Sequence, residues 1–147
     1  MAYSGLGEAI GNALLDHAFG GGDWTRDATL YLALLTARHT SFGGGGTEVT
    51  TANWTNYARL AIDNSDTSTV WAAADAFQKW NASDIEFGEA SVTGTGPTIT
   101  AWALMSASTG GAIRAYGEFP ESRQVKNFDV VRFAVGRIQI QFTNAAT

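Results

Sequence analysis

The strongest constraint on the fold is an alternation of apolar and polar residues, with a period of two, that begins at Tyr57. The segments that carry it are YARLAI, STVWAAADAF, DIEFGEASV, TITAWALMSA, GAIRAYGEF and VVRFAVGRIQIQF. Alternation is typical of strands that bury one face, and short strands with frequent turn residues between them favour a sandwich or a barrel. We therefore predict a mainly β protein, an antiparallel β-sandwich of about seven or eight strands that is jelly-roll-like or Ig-like.

Upstream of this region, the pattern predicts one short helix and one buried strand. The candidate helix has apolar or partly apolar residues at helical spacing, namely Leu6, Ile10, Ala13, Leu14 and His17. Ser4 is a candidate N-cap, and the glycines at 20–22 end the helix, so we expect an N-terminal helical segment within residues 1–22. The continuous apolar run TLYLALLTA, at residues 29–37, is typical of a strand buried on both faces.

Two places in the β region predict a local irregularity. Gly110 and Gly111 supply the positive φ angles of a tight return and therefore predict a hairpin. In the last segment, the apolar residues change phase near Gly136, from odd to even positions. One extra residue there predicts a β-bulge that keeps both halves facing one core. The segment at 71–80 stays ambiguous, because its alanines also suit a helical turn.

The glycine run at 43–46 raises the question of a phosphate site. A phosphate loop opens a helix and carries a Lys-Ser/Thr pair, whereas this run is followed by Thr47, Glu48 and Val49, and the next lysine is Lys79. Glycines that permit positive φ in a long connection are the simpler interpretation. We predict a Gly-rich loop over residues 38–56.

Composition excludes several functional classes. The length of 147 residues fits one domain over residues 1–147, and neither glycine run is long enough to separate two domains. A net charge of −5 with singly scattered arginines predicts no nucleic-acid partner. With no cysteine, the chain has no disulfide, thiolate zinc site or cysteine nucleophile. We see no signal peptide and no apolar run long enough for a membrane span, and we predict no membrane partner, metal or cofactor.

Candidate catalytic groups are few and incomplete. His39 and Ser41 invite a hydrolase triad, but the serine lacks the Gly-x-Ser-x-Gly context and two residues at this spacing need not face each other. Asp84 and Glu86 could form a glycosidase pair, although strand alternation explains them as a solvent-facing row. We therefore predict that the protein is not an enzyme.

Aromatic residues are the most unusual feature of the composition, with five tryptophans in the chain. Trp54 and Tyr57 lie a few residues after the glycine run at 43–46. A tryptophan in such a segment either folds back onto the core or is presented to a partner, and the sequence leaves both alternatives open.

Several segments together resemble a family of small tailed-bacteriophage structural proteins, often labelled tail fibre proteins and including candidate capsid decoration proteins. The segments, in order, are NALLDHAFG, LYLALLTA, GGGTEV, NYARLAI, DIEFGEA, AWALMSASTGGAIRAYGEF and VVRFAVGRIQIQF. Position-by-position matches are Gly44, Gly45, Gly46, Thr47, Glu48, Val49, Tyr57, Ala58 and Arg59. The sequence departs from the family where Ser106 or its neighbour replaces an Asp, and the stretch at 66–80 is longer than expected.

The resemblance implies a virion structural protein, assembled in the host cytoplasm. Within that class we predict a capsid decoration, or cement, protein that binds the major capsid protein as a homo-oligomer, with a trimer favoured. The alternatives are a tail fibre or tail-tip component and a carbohydrate-binding module, for which Trp54 and Trp80 would share one concave surface. The predicted partner contacts are Phe42, Glu48, Trp54, Tyr57 and Arg59.

Overall fold

The computed structural model describes residues 4–141, which contain one helix and ten strands. The helix α1 spans Glu8–Phe19, and the strands are β1 (Ser4–Leu6), β2 (Thr29–Ala37), β3 (Thr47–Glu48), β4 (Leu60–Asp63), β5 (Gln78–Trp80), β6 (Ile85–Glu86), β7 (Thr98–Met105), β8 (Ile113–Gln124), β9 (Arg132–Phe133) and β10 (Gln139–Gln141). Their pairings are antiparallel, which confirms the prediction of a mainly β protein with one short helix.

The larger layer is a six-stranded sheet in the order β1-β8-β7-β2-β3, with β4 also paired to β2. Strand β2 lies inside this sheet and has the bounds predicted for a strand buried on both faces. Leu32 and Leu34 are buried on one face, and Ala33 and Leu35 are buried on the other. The continuous apolar run therefore reflects burial from both sides.

The second layer consists of two short antiparallel ribbons, β10-β5 and β6-β9. These ribbons and the loops around them pack on the face of the large sheet that carries Leu32 and Leu34. The cluster between the layers contains Trp102 and Leu104 from the sheet. Phe87, Phe133, Ile138 and other residues of the second layer complete it. The fold is thus a β-sandwich whose second layer is two ribbons, in contrast to the continuous second sheet of a jelly roll or an Ig domain.

The N-terminal segment differs from the prediction. Residues Ser4–Leu6 form the edge strand β1, so Ser4 does not cap the helix. The helix begins at Glu8 after Gly7, whose N–H donates to the Arg114 carbonyl oxygen at 2.9 Å. Pairing with β8 outweighs helix propensity here. No residue of α1 is buried, although its apolar residues recur at helical spacing.

Near Gly136, where a β-bulge was predicted, the strand pairing is interrupted and the ribbon β6-β9 gives way to the ribbon β10-β5. Four residues, 81–84, separate β5 from β6. In the segment that pairs with these strands, five residues, 134–138, separate β9 from β10. The one-residue excess is therefore confirmed, with Gly136 at a φ of 78°. A single bulged strand is wrong, because Asn81 inserts between the two segments. Its side-chain amide, fully buried, donates to the carbonyl oxygen of Ala134 at 3.0 Å and accepts from the N–H of Ile138 at 2.9 Å.

Two tight turns complete the description. The predicted hairpin joins β7 to β8, and Gly110 and Gly111 have φ angles of 60° and 77°. The ambiguous segment at 71–80 is neither a helix nor a long strand. It makes a two-residue turn at Ala76 and Phe77, where two backbone hydrogen bonds join Asp75 and Gln78.

Candidate functional site: a groove beside the glycine loop

The glycine run lies in the connection from β2 to β3, and β3 itself falls within the residues 38–56 that were predicted as one loop. Gly44 and Gly45 have φ angles of 130° and 89°, which L side chains rarely adopt. At Gly46 the constraint is space, because an added Cβ would lie 2.8 Å from the His39 Nδ1 and 2.9 Å from the Ala37 carbonyl oxygen. The Gly44 N–H donates to the Ser41 carbonyl oxygen, and a β-strand rather than a helix follows the run. The loop therefore lacks the helix N-terminus on which a phosphate site depends.

His39 anchors this loop from inside. The imidazole Nδ1 accepts a hydrogen bond from the Gly46 N–H at 3.0 Å, and the ring meets Tyr116 edge to face with centroids 5.9 Å apart. Burial lowers the pKa of His39, while a backbone hydrogen bond with Gly44 and the charge of Glu48 oppose that shift. The Ser41 hydroxyl donates to the Gly44 carbonyl oxygen at 3.4 Å. In this structure, His39 and Ser41 thus make loop contacts and form no hydrogen bond to each other.

Glu48 and Arg59 form a two-point ion pair next to the loop. The Arg59 Nε lies 2.9 Å from one carboxylate oxygen of Glu48, and Nη2 lies 2.7 Å from the other. Arg59 Nη1 also donates to the carbonyl oxygens of Ala107 and Gly110, at 2.8 and 2.7 Å. The guanidinium therefore ties β3 to the β7-β8 hairpin, and the bond to Glu48 raises the pKa of Arg59.

Tyr57 joins this pair to the central strand. Its hydroxyl donates to Glu48 at 3.0 Å and accepts the backbone N–H of Leu34 at 3.0 Å. Burial is the largest influence on the pKa of Tyr57 and raises it well above its usual range. We call Glu48, Tyr57 and Arg59 the Glu48 network.

An open groove of about 660 Å³ lies beside this network. Its floor is apolar and includes Leu35 of β2 and Met105 of β7, with Ile113 of β8 at one side. The first turns of α1 form one wall through Glu8 and Asn12, and the glycine loop with Phe42 forms another. The Glu8 N–H donates to the Phe42 carbonyl oxygen at 3.1 Å, which joins the two walls. The groove therefore offers an apolar surface with a carboxylate at its rim.

The structure brings four of the five predicted contact residues to this region. Glu48 and Arg59 line the groove beside Phe42, which is 63% exposed, and Tyr57 binds Glu48. Trp54 is different, because it is only 2% exposed and packs against Tyr57 and Phe87, with ring centroids 5.4 and 6.0 Å away. The expectation that Trp54 presents its ring as a surface anchor is corrected: it folds back onto the core.

Sequence reasoning did not find several residues that shape the site. Asp27 binds Arg114 through Nε at 2.6 Å and holds the chain after α1 against β8. Glu8 lies on the groove wall, a position that the sequence did not predict. Outside the groove, the turn at Ala76 and Phe77 was not predicted, because neither of these two central residues is a glycine, asparagine or aspartate, although Asp75 precedes them.

The residues that the structure describes were also compared with the requirements for a metal site and for a membrane-spanning helix. Within residues 4–141, no group of three or more His, Cys, Asp or Glu side chains is arranged to hold a metal ion. No helix among these residues is both long enough and apolar enough to span a membrane.

The comparisons with known proteins agree with the resemblance inferred from the segment order. Residues 5–141 match the family model described as Podophage GP4 fiber I protein gp80. The class defined by this match is that of a bacteriophage virion structural protein. Within that class, the chain belongs to the Podophage GP4 fiber I protein gp80 family. No curated protein matches the chain.

Proposed function

We propose that the chain is a structural subunit of a phage tail fibre. The family match over residues 5–141 is the observation that carries this proposal, because the family is described by a fibre protein. The sequence analysis had favoured capsid decoration and kept the tail fibre as the alternative. The family description supports that alternative better.

The Glu48 network supports a structural role. Arg59 satisfies one carboxylate and two backbone carbonyl groups at once, which fixes β3 relative to the hairpin. Tyr57 joins Glu48 to the central strand through the Leu34 N–H. Fixed loops lower the entropic cost of forming an interface, since less ordering remains to be done on binding. Such a site needs no turnover, and the protein is proposed to act without catalysis.

Capsid decoration is the second candidate, and one observation favours it. Within residues 4–141 the longest strand and the helix have 12 residues each, and none of these elements has the length typical of a fibrous shaft. A compact subunit of this kind could bind the major capsid protein on a head. The compact, attached part of a fibre also fits these dimensions, and the family description favours that role.

The carbohydrate-binding alternative loses the feature on which it rested. Trp54 is buried, and Trp80 lies in β5 of the second layer and does not line the groove. The two indoles therefore do not form the shared concave surface that would stack on a sugar.

Copy number and position in the virion test the proposal. Quantitative mass spectrometry of purified particles, with the major capsid protein as the internal standard, is expected to give a small number of copies per particle. Antibody labelling seen by electron microscopy is expected at the tail. A copy number comparable to that of the major capsid protein, with label over the head, would replace the fibre assignment by capsid decoration.

A second measurement tests the absence of catalysis. The purified protein is expected to show no turnover of esterase, glycosidase or nucleotide substrates. Turnover that His39→Ala abolishes while the circular dichroism spectrum is unchanged would contradict the structural assignment.

A further inference from the structure

The turn at residues 75–78, which we call the Phe77 turn, presents an aromatic ring to solvent. Phe77 is 81% exposed at the tip of a two-residue turn. Ala76 and Phe77 have φ angles of 47° and 61°. These values match the left-handed turns in which Asn and Gly are preferred, and a bulky residue there is a genuine outlier. The ring is thus exposed at a position whose backbone conformation favours asparagine or glycine.

The Phe77 turn is held firmly at its base. The Asp75 N–H donates to the Gln78 carbonyl oxygen at 3.0 Å, and the reverse bond measures 2.8 Å. Lys79 Nζ donates to the Ala72 carbonyl oxygen at 2.8 Å, and Gln139 Nε2 donates to Gln78 Oε1 at 2.5 Å. A projecting aromatic ring on a fixed base is suited to inserting into a pocket, because little entropy is lost when it is buried.

The groove beside the glycine loop has the properties of a matching pocket. It is open, its volume is about 660 Å³, and Leu35, Met105 and Ile113 give it an apolar lining. No residue of 72–80 lines it, so the Phe77 turn does not occupy the groove of its own chain.

Each surface carries a charged residue that could pair across the contact, Glu8 at the groove and Lys79 beside the Phe77 turn, while the exposed Asp75 lies on the other side of Phe77 in the sequence. Among the described residues, Glu8 on the groove wall forms no salt bridge, although Glu48 beside it is fully engaged by Arg59 and Tyr57. Lys79, two residues after Phe77, likewise has no carboxylate partner within residues 4–141. Its ammonium group has three hydrogens and donates one of them to a backbone carbonyl oxygen, so two donors remain for a carboxylate.

We propose that the groove of one copy of this chain receives the Phe77 turn of a second copy, with Lys79 approaching Glu8. Because the ring and the groove are different patches of the same surface, the contact is head to tail, and its repetition gives either a closed ring or a linear array. This inference goes beyond the proposed fibre role and holds for a subunit of a tail or of a head.

Association of the purified protein over a range of concentrations provides the test, by light scattering after size exclusion or by sedimentation velocity. The wild-type chain is expected to self-associate, and Phe77→Ser is expected to weaken that association by at least about tenfold. Phe128→Ser is the matched control, since Phe128 is also exposed (72%) and has a positive φ of 68° but lies in a different turn. It is expected to leave association unchanged.

Charge reversal tests the pairing itself. Glu8→Lys and Lys79→Glu are each expected to weaken association, and the double variant is expected to restore it, because the opposite charges face each other again. Circular dichroism and thermal melting identify any variant that fails to fold. A wild-type chain that stays monomeric at every concentration would overturn the proposal, even if its groove binds another virion protein. Equal association of wild type and Phe77→Ser, or a double variant weaker than both single variants, would also overturn it. None of these measurements uses virions, so they are independent of the test of the fibre assignment.

Discussion

Arg59 and Glu48 meet through two parallel contacts of 2.9 and 2.7 Å, and the arginine side chain is only 9% exposed. The arginine also donates hydrogen bonds to two backbone carbonyl oxygens of the β7-β8 hairpin. A buried pair of this kind is costly to break from one side, since the remaining charge keeps its desolvation penalty without a partner.

Arg59→Ala is therefore expected to lower the free energy of unfolding by about 2 to 3 kcal/mol, at or just below the range for fully buried pairs, because Glu48 remains partly exposed. Arg59→Lys is expected to lose less, since it keeps the charge but not the two-point geometry. Urea denaturation measures both. Arg26→Ala, which removes the exposed pair with Asp66, is the control and should cost less than about 1 kcal/mol. Equal effects at Arg26 and Arg59 would contradict the burial argument.

Trp54 gives a prediction opposite to the one its sequence context suggests. Because its indole is buried against Tyr57 and Phe87, Trp54→Ala is expected to lower the free energy of unfolding by about 3 to 5 kcal/mol. Phe42→Ala, at an exposed aromatic residue on the groove wall, is expected to change it by less than about 0.5 kcal/mol. Chemical denaturation separates the two. A stable, well-folded Trp54→Ala protein would restore the surface-anchor interpretation.

Phe77→Gly is expected to raise the free energy of unfolding by up to about 1 kcal/mol, because glycine adopts a positive φ without a Cβ penalty. The reverse change, Gly136→Ala, provides the comparison. Gly136 has a φ of 78° and open space around the added Cβ, so its expected loss of about 1 kcal/mol is a backbone effect alone. Thermal melting measures both changes. A destabilised Phe77→Gly protein would show that the ring contributes more to the fold than its exposure implies.

His39 predicts a pH dependence of stability. Its pKa is lowered from 6.5 in the folded chain, so the unfolded chain binds a proton more readily. The contribution of His39 to stability is therefore complete above pH 6.5 and is lost as the pH falls from there through the folded pKa. Urea midpoints at about pH 7.5 and about pH 5.5 should show a smaller loss on acidification for His39→Gln than for the wild type. A loss on acidification for His39→Gln as large as that of the wild type would contradict the assignment to His39.

Local sequence patterns were sufficient to predict those elements whose structure depends on neighbouring residues in the sequence. The bounds of β2 followed from one continuous apolar run, and the turn into β8 followed from Gly110 and Gly111. The excess residue near Gly136 followed from a change of phase. The interruption itself did not follow, because it depends on Asn81, which lies on the partner segment.

Long-range pairing explains the main errors in the fold. Ser4–Leu6 were assigned to the helix because their pairing with β8 leaves no signal in the local sequence. The Ala76-Phe77 turn contradicts local turn preference, so no pattern of residue types could have placed it. The count of about seven or eight strands was low for a related reason, since several of the strands have only two or three residues and too few positions to show alternation.

The candidate site was predictable as a group of residues but not as a set of contacts. Glu48, Tyr57 and Arg59 all lie in the segments that resemble the family, and all three were among the predicted partner contacts. Which carboxylate meets which arginine depends on how β3 and the chain before β4 fold against the β7-β8 hairpin. These contacts are set by the tertiary structure and leave no signal in the local sequence. The groove was not predictable either, because one wall is the helix α1, whose docking depends on the unpredicted strand β1.

The pairing of Ser4 with Gly117 also has a consequence for the growing polypeptide. During synthesis, β1 and α1 emerge from the ribosome before the strand that fixes them, which follows β1 by more than one hundred residues. Contacts between such distant segments form slowly, since a long loop must close before any bond is gained. The Gly7 contact with Arg114, which sets the start of α1, has to wait for the same strand. The helical wall of the groove is therefore expected to be among the last parts to reach its native position, and a ribosome that stalls before β8 would hold a chain in which α1 has no sheet to dock on.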